Sequence, residues 1–265
     1  MSAPVFYPTA DLSSAAPGGQ VRLDGPEGRH AATVRRIGSG ETVELCDGDG
    51  RRLTCTVTDA ARDALVLRVE SVAVEPAPAP VLELVQALAK QDRDLQAIET
   101  ATELGVDVVV PWQADRSIVR WKGDRATRAA TKWESVLRAA AQQSRRSRIP
   151  TLAELTGTRA LAARIAAGTA AGTLAAVVLH EEAERALSAV LDDWAGPNPR
   201  PFERVLLIVG PEGGIGPEEL GVLTGAGART AVLGPHVLRS STAGPAALAL
   251  ASVQLGRWSR AAPHP

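Results

Sequence analysis

Aromatic side chains are scarce in this 265-residue chain, which holds five Trp, two Phe and one Tyr. The pair Phe6-Tyr7 and Trp112 stand far from each other along the sequence, so a row of stacking rings for flat ligands is nearly absent. Cysteine is almost absent as well. Cys46 and Cys55 cannot build a disulfide framework, which fits a reducing compartment. No Cys/His cluster has zinc-ligand spacing and no Gly-x-Ser-x-Gly elbow occurs, so neither a metal site nor acyl transfer is expected. Long apolar runs are missing too. The most membrane-like stretch, 160–179, is rich in Ala and Gly and is broken by Arg164, which reads as buried helix plus strand. No apolar run follows Met1, so no secretory signal is expected. A cytoplasmic protein without membrane attachment is the resulting expectation. Charged residues make up 22% of the chain at a formal net charge of -1, which excludes a disordered or supercharged chain.

The near-zero charge conceals an asymmetry. Lysine is rare, at positions 90, 122 and 132 only, and the remaining 26 basic residues are Arg. Between Arg116 and Arg148 stand ten basic residues opposed only by Asp124 and Glu134, a local charge of +8, whereas residues 1–80 carry -3. A solvated helix face alternates sign, and this segment does not. It is the electrostatic footprint of a site for a polyanion, nucleic acid above all.

Residues 5–74 alternate with period two, punctuated by Gly and Asp. Segments 42–45 and 53–57 flank Asp47-Gly48-Asp49-Gly50, a hairpin turn whose glycines tolerate positive φ, and 64–74 repeats the strand pattern. This predicts a small β-barrel or sheet. The turn centre places Cys46 and Cys55 out of register, as ordinary strand residues rather than a redox pair. The Pro/Ala stretch 75–80 is a stiff linker. Hence a β domain over 1–75, a linker over 76–80 and a second domain over 81–265 are expected. In the second domain the spacing predicts strands at 81–88, 106–111, 174–179, 205–209 and 230–233. Helices are predicted at 94–104, 126–144, 181–193 and 243–257, with an Ala-rich helix before 174. Such alternation gives an α/β fold with a mainly parallel, doubly wound sheet.

Ligands of such sheets lie beyond the C-terminal strand ends. Three ends are unusual here: Leu179-His180-Glu181-Glu182, the run from Val209 to Leu220, and the run from Val232 to Gly244. The second holds four Gly within seven residues and then Pro217-Glu218-Glu219, a helix start. It lacks both the Walker spacing and a dinucleotide fingerprint. With Glu212 and no Lys or Arg, it is a poor phosphate cradle. A neutral or cationic ligand held by main-chain groups fits better, such as the sulfonium cofactor S-adenosylmethionine; a tight turn without ligand is the bland alternative. His180 is a cofactor-pocket candidate only.

At these loops the sequence resembles the bacterial 16S ribosomal RNA uracil-N3 methyltransferases (RsmE) of the SPOUT superfamily. The resemblance is carried by Lys90-Gln91-Asp92-Arg93 through Ala101-Thr102-Glu103-Leu104-Gly105, by Arg116-Ser117-Ile118-Val119, and by Lys132-Trp133 with 139–144 and 146–150. Most specific is the pair Gly210-Pro211-Glu212-Gly213-Gly214 and Leu233-Gly234-Pro235 with Leu238-Arg239; Arg29-His30 and Val34-Arg35 match the small domain. It implies a PUA-like N-terminal barrel, a C-terminal α/β domain with a deep trefoil knot, and a homodimer. It also implies S-adenosylmethionine as cofactor and 16S rRNA in the 30S ribosomal subunit as partner, methylated at N3 of a decoding-region uridine. The cofactor-contacting positions carried over are Leu179, His180, Gly210, Pro211, Glu212, Gly213, Gly214, Leu233, Gly234, Leu238 and Ser240.

N3 becomes nucleophilic only as its proton leaves, with charge spreading onto O2 and O4, so a fixed cation beside them would stabilise the transition state. Arg239 is the catalytic candidate, unless it merely braces the knot. Members of the family usually carry Glu where this chain has Ser241 and Gln142, so the base stays open between water, Ser240, Ser241 and Thr242. RNA would lie along Arg29, Arg35 and Arg36 of the small domain and Arg116, Arg128, Lys132, Arg145 and Arg146 of the basic block, through phosphate contacts. Selection of the uridine would rest on RNA shape. Another SPOUT enzyme, acting on ribose 2′-OH or on tRNA, and a non-catalytic RNA-binding assembly factor are the alternatives.

Overall fold

A computed structural model describes residues 3–195 and 202–258. The chain divides into two compact units, one comprising residues up to Ala77 together with Ala141–Ile149, the other Pro78–Ala140 with the chain from Pro150 onward. The division falls inside the Pro/Ala stretch. Segment 141–149, which the sequence places in the second domain, packs with the first unit.

The first unit is a five-stranded sheet in the order β1-β3-β4-β5-β2. Its strands are β1 (Val5–Phe6), β2 (Gln20–Leu23), β3 (Thr42–Cys46), β4 (Arg51–Ala60) and β5 (Leu65–Val74). Strands β3, β4 and β5 form an antiparallel meander, β1 runs parallel to β3, and β2 closes antiparallel on β5. Alternate residues of β4 and β5 point inward, so Leu53, Cys55 and Val57 meet Leu65, Leu67 and Val69 in the core. The β3–β4 turn is held by Asp47, whose Oδ1 accepts the backbone N–H groups of Asp49 at 2.7 Å and Arg51 at 3.0 Å. Cys46 faces Arg52 and Cys55 faces Val43 across the ladder, so the two thiols are out of register. Burial pushes both thiols up to about 12, which makes them inert packing groups.

Beyond β2, α1 (Gly25–Arg29) runs into a π-helical turn over His30–Val34. Segment 141–149 is laced to this unit by polar contacts. Gln142 Nε2 donates to the Val5 carbonyl at 3.0 Å and to Glu27 Oε2 at 3.1 Å. The Tyr7 hydroxyl donates to the Arg146 carbonyl at 2.6 Å, and Arg148 pairs with Asp49 at 2.8 Å. Gly50 leaves the room that the Arg148 guanidinium occupies.

The second unit is an all-parallel sheet ordered β12-β10-β11-β6-β7-β8, with β9 also on β7. The strands are β6 (Val81–Ala87), β7 (Val108–Gln113), β8 (Thr151–Leu152), β9 (Thr156–Gly157), β10 (Leu174–Leu179), β11 (Arg204–Val209) and β12 (Arg229–Ala231). Among the described residues six helices alternate with them: α2 (Arg93–Glu103), α3 (Asp124–Gln143, whose last three residues belong to the first unit), α4 (Thr158–Ala171), α5 (Leu187–Ala195), α6 (Pro217–Gly225) and α7 (Ser240–Gln254). The sheet is buried on both faces. On β11, Val205, Leu207 and Val209 pack with residues of α2, α5 and α7, while Leu206 and Ile208 pack with residues of α4 and α6. A strand covered on both sides reads as an unbroken apolar run, which is why it was legible.

The helix expected over 181–193 begins only at Leu187. Residues 181–186 are drawn instead alongside the end of β12: Val232 N–H donates to the Arg185 carbonyl at 2.9 Å and Leu187 N–H to the Val232 carbonyl at 2.8 Å. β12 itself stops at Ala231, two residues short of the expected end. The last helix starts at Ser240 rather than 243 and packs on β6, β11 and α2. Among the described residues no helix is long and apolar enough to cross a membrane.

Candidate active site

The C-terminal ends of β10, β11 and β12 open into one cleft of about 720 Å³, within the range of roughly 300–1,000 Å³ typical of small-molecule sites. Three segments wall it. Leu179 and His180 follow β10; Gly210, Pro211, Glu212, Gly213 and Gly214 follow β11; Leu233, Gly234, Leu238, Arg239 and Ser240 follow β12. Every cofactor candidate from the sequence, and Arg239, thus lies on one cavity. Arg93 and Arg116 also line it.

The glycine loop has a definite shape. A Cβ on Gly210 would stand 2.7 Å from Ile215 Cγ1, so that glycine lets the loop fold back on its own buried isoleucine. Gly214 has φ +68°, and its N–H donates to the Pro211 carbonyl at 2.9 Å, closing a tight turn that an L side chain would strain. Pro217 then begins α6 with Glu218 and Glu219 in its first turn, where the helix end favours negative charge. Glu212, expected to face a cationic ligand, is already engaged: its Oε1 accepts the Lys90 backbone N–H at 2.9 Å and lies 3.4 Å from Arg93 Nη1.

The third loop ends at Arg239, the extended residue that caps α7 and whose carbonyl accepts the N–H groups of Thr242 at 2.8 Å and Ala243 at 2.9 Å. The Arg239 side chain is exposed at the cleft. Next to it, Ser240 Oγ is buried without a hydrogen-bond partner among the described residues. A buried hydroxyl on a cleft wall with no protein partner is a place for a ligand's polar group. His180 Nδ1 accepts the Glu182 N–H at 3.3 Å, which shapes its own turn. Ser241 is buried in α7 and does not line the cleft, Thr242 is exposed, and Gln142 belongs to the first unit. Of the three hydroxyls left open as proton carriers, only Ser240 reaches the cavity. The cleft combines backbone-rich glycine turns, apolar walls from Leu179, Leu233 and Leu238, and an orphan hydroxyl. It fits S-adenosylmethionine.

The basic candidates are distributed over the two units. Arg29, Arg35, Arg36 and Arg145 are exposed and Arg146 half-buried on the first. Arg36 and Arg145 have left-handed backbones, at φ 55° and 58°. On the second, Arg128 and Lys132 are exposed on α3, with Lys132 Nζ 2.9 Å from Asp92. Arg116 differs from the others: its Nη1 donates to the Gly213 carbonyl at 3.0 Å, so it braces the cleft. Sequence reasoning missed Arg93 and this use of Arg116. The charge run suggested only a surface, and nothing local links position 116 to 213.

Residues 75–252 match the family described as RNA methyltransferase domain, and residues 23–70 match the RNA methyltransferase PUA domain. The chain is 45% identical over 240 residues to ribosomal RNA small subunit methyltransferase E of Mycobacterium bovis, covering 91% of this chain and 88% of that protein. A methyltransferase from Legionella pneumophila crystallised with bound S-adenosylmethionine is 25% identical, with a TM-score of 0.78, covering 96% of this chain and 98% of that one. The fold is shared by ribosomal RNA small subunit methyltransferase E from Neisseria gonorrhoeae, at TM-score 0.79 and 23% identity over 95% and 98% of the two chains. With a cleft of this build at the ends of β10, β11 and β12, the chain belongs to the ribosomal RNA small subunit methyltransferase E family.

Proposed function

We propose that this protein is the S-adenosylmethionine-dependent enzyme that methylates N3 of a uridine in the decoding region of 16S rRNA. The observation that carries the reading is the single cleft uniting the three strand-end segments. That it is an rRNA methyltransferase using S-adenosylmethionine follows from its family; the position methylated and the 30S subunit as the assembled substrate are our reading.

When bound, S-adenosylmethionine supplies an electrophilic methyl group. We assign its contacts to the backbone of Gly210–Gly214 and Leu233–Gly234, to Leu179, His180 and Leu238, and to the orphan Ser240 hydroxyl. Arg239, exposed at the cleft mouth, would stand against O2 or O4 of the uracil and hold the charge that develops as N3 loses its proton. The proton passes to water, directly or by way of Ser240. Arg29, Arg35 and Arg36 on the PUA unit, and Arg128, Lys132, Arg145 and Arg146, would contact phosphates and set affinity rather than base choice.

The knot is assigned to the loops after β11 and β12, from which α7 returns from the edge strand to the centre of the sheet. A homodimer is supported by the exposed apolar side chains of that second loop, Val237 and Leu238. A cytoplasmic location is the setting such a substrate requires.

The test incubates purified protein and labelled S-adenosylmethionine with 30S subunits from a strain lacking uracil-N3 methylation, and maps the product by nuclease digestion and mass spectrometry. One 3-methyluridine in the decoding region is expected. Label on a ribose, or on another RNA only, overturns the assignment.

A further inference from the structure

Behind the glycine loop lies a carboxylate outside the cleft. Glu219, in the first turn of α6, is 3% exposed. Its Oε1 accepts the Asp115 backbone N–H at 3.0 Å and the Thr158 hydroxyl, whose oxygen accepts the Trp112 indole N–H at 3.2 Å. Its Oε2 is buried with no hydrogen-bond partner among the described residues. A buried oxygen that accepts hydrogen bonds from two separate segments ties those segments together.

The next residue after Asp115 is Arg116. Its Nη1 donates to the Gly213 carbonyl at 3.0 Å, and its side chain stands where a Cβ on Gly213 or Gly216 would meet it, at 3.4 and 3.5 Å. The contacts close a ring. It runs from Gly213 along the chain to Glu219, across to the Asp115 N–H, on to Arg116, and back to the Gly213 carbonyl. The 114–120 loop that carries Arg116 is also held by Ser117 N–H to the Ala114 carbonyl at 3.0 Å, by Arg120 to the Asp115 carbonyl at 2.9 Å, and at its far end by Gln113 Nε2, which donates to the Val119 carbonyl at 2.9 Å. Within this ring, Glu219 is the side chain that fixes the base of that loop to the helix following the glycine turn.

We propose that Glu219 is a positioning residue for the cofactor loop, acting through Asp115 and Arg116 to hold the 210–216 backbone in its ligand-ready shape. The proposal rests on the reading of the cleft as the S-adenosylmethionine site. The choice of acid over amide is not essential to it, because a glutamine oxygen can accept the same two hydrogen bonds.

The test compares Glu219→Gln, Glu219→Met, Arg116→Ala and the Glu219→Met/Arg116→Ala double variant. Glu219→Met keeps the volume and removes the acceptor, and Glu219→Gln preserves a folded control. Amide hydrogen exchange over 210–216 is measured without cofactor, S-adenosylmethionine affinity by calorimetry, and KM for RNA by initial rates. Glu219→Met and Arg116→Ala should each speed exchange selectively at 210–216 and weaken cofactor binding about tenfold. The double variant should be no worse than the poorer single, because both break the same ring. Glu219→Gln should restore wild-type behaviour, and the KM for RNA should hold in Glu219→Met. Additive losses in the double variant, or exchange that rises throughout the unit rather than at the loop, overturn the proposal. Faster loop exchange with unchanged cofactor affinity overturns it through its premise: the ring would stand, and the cleft would not be the cofactor site.

Discussion

Glu212 Oε1 accepts the backbone N–H of Lys90 at 2.9 Å, tying the glycine loop to the turn before α2 across 122 positions of sequence. That turn is unusual, since Gln91 and Asp92 both have left-handed backbones, at φ 57° and 56°, which costs non-glycine residues energy and needs support from neighbours. The carboxylate thus serves the protein's own backbone. Glu212→Gln, which keeps an oxygen for the Lys90 N–H, should retain cofactor affinity within a few-fold. Glu212→Ala should lose stability on the order of 1 kcal/mol and weaken cofactor binding. If calorimetry finds the two variants equally impaired, the charge itself serves the sulfonium.

Two glycines of the same loop should behave differently. At Gly210 a Cβ meets the Cγ1 of a buried isoleucine at 2.7 Å, whereas at Gly213 the nearest atom is Arg116 Cβ at 3.4 Å. Gly210→Ala should therefore cost on the order of 1–3 kcal/mol as Ile215 is displaced, and lower cofactor affinity with it. Gly213→Val should weaken cofactor binding with a much smaller loss of stability. Urea titrations paired with calorimetry separate the two, and equal stability losses would refute the packing account of Gly210.

Arg239 stands at the mouth of the cleft and caps α7 through its backbone, not its side chain. Truncation at Cβ therefore leaves the helix start in place. Arg239→Ala should lower kcat by about 10²–10³ if its guanidinium meets the developing charge on the uracil, while cofactor affinity stays within a few-fold. Unchanged turnover would remove Arg239 from the chemistry.

The parallel sheet was legible because strands such as 174–179 and 205–209 are unbroken apolar runs of six and five residues, the second running directly into Gly210-Pro211. The cleft was legible for a related reason: strand ends rich in Gly and Pro mark where ligands sit in such sheets. The short strands β8 and β9 carry two residues each, too few for any periodicity to register. The late start of α5 depends on hydrogen bonds to Val232, forty-odd residues away, which local pattern does not encode. Gln142 is instructive. In sequence it stands as a departure from a family carboxylate, and in the fold it brackets Val5 and Glu27 of the first unit, so the second bond would be lost to repulsion were it Glu.

Asp94 gives a pH signature of unusual sign. It is buried near the start of α2, and that burial raises its pKa, against the hydrogen bonds its carboxylate accepts from the Ala89 and Leu95 N–H groups. The folded protein therefore holds this proton more tightly than the unfolded chain, so its contribution to stability falls as pH rises from the ordinary aspartate value through the raised one. The exposed Asp11, Glu70 and Asp193, lowered by hydrogen bonds to their neighbours, act in the opposite sense. Subtracting the urea stability of Asp94→Asn from that of the wild type across mildly acidic pH should leave a difference that declines as pH rises. A flat or rising difference contradicts the assignment.

Glu83 is fully buried on the central strand β6, with its two carboxylate oxygens 2.7 Å from Arg164 on α4 and from Arg204 on β11. Both arginines are partly exposed, at 39% and 45% of the side chain, so they reach water when the pair is broken and the carboxylate does not. The consequences of substitution are then asymmetric. Arg164→Met with Arg204→Met strands an uncompensated buried charge and should cost about 3–5 kcal/mol at neutral pH. Adding Glu83→Leu to the double variant removes that charge and should recover most of the loss, because well-packed apolar replacements of buried ion pairs are often neutral. Chemical denaturation of the three proteins decides it. A triple variant as unstable as the double would mean that the arginines act by covering the sheet with their stems rather than by pairing with Glu83.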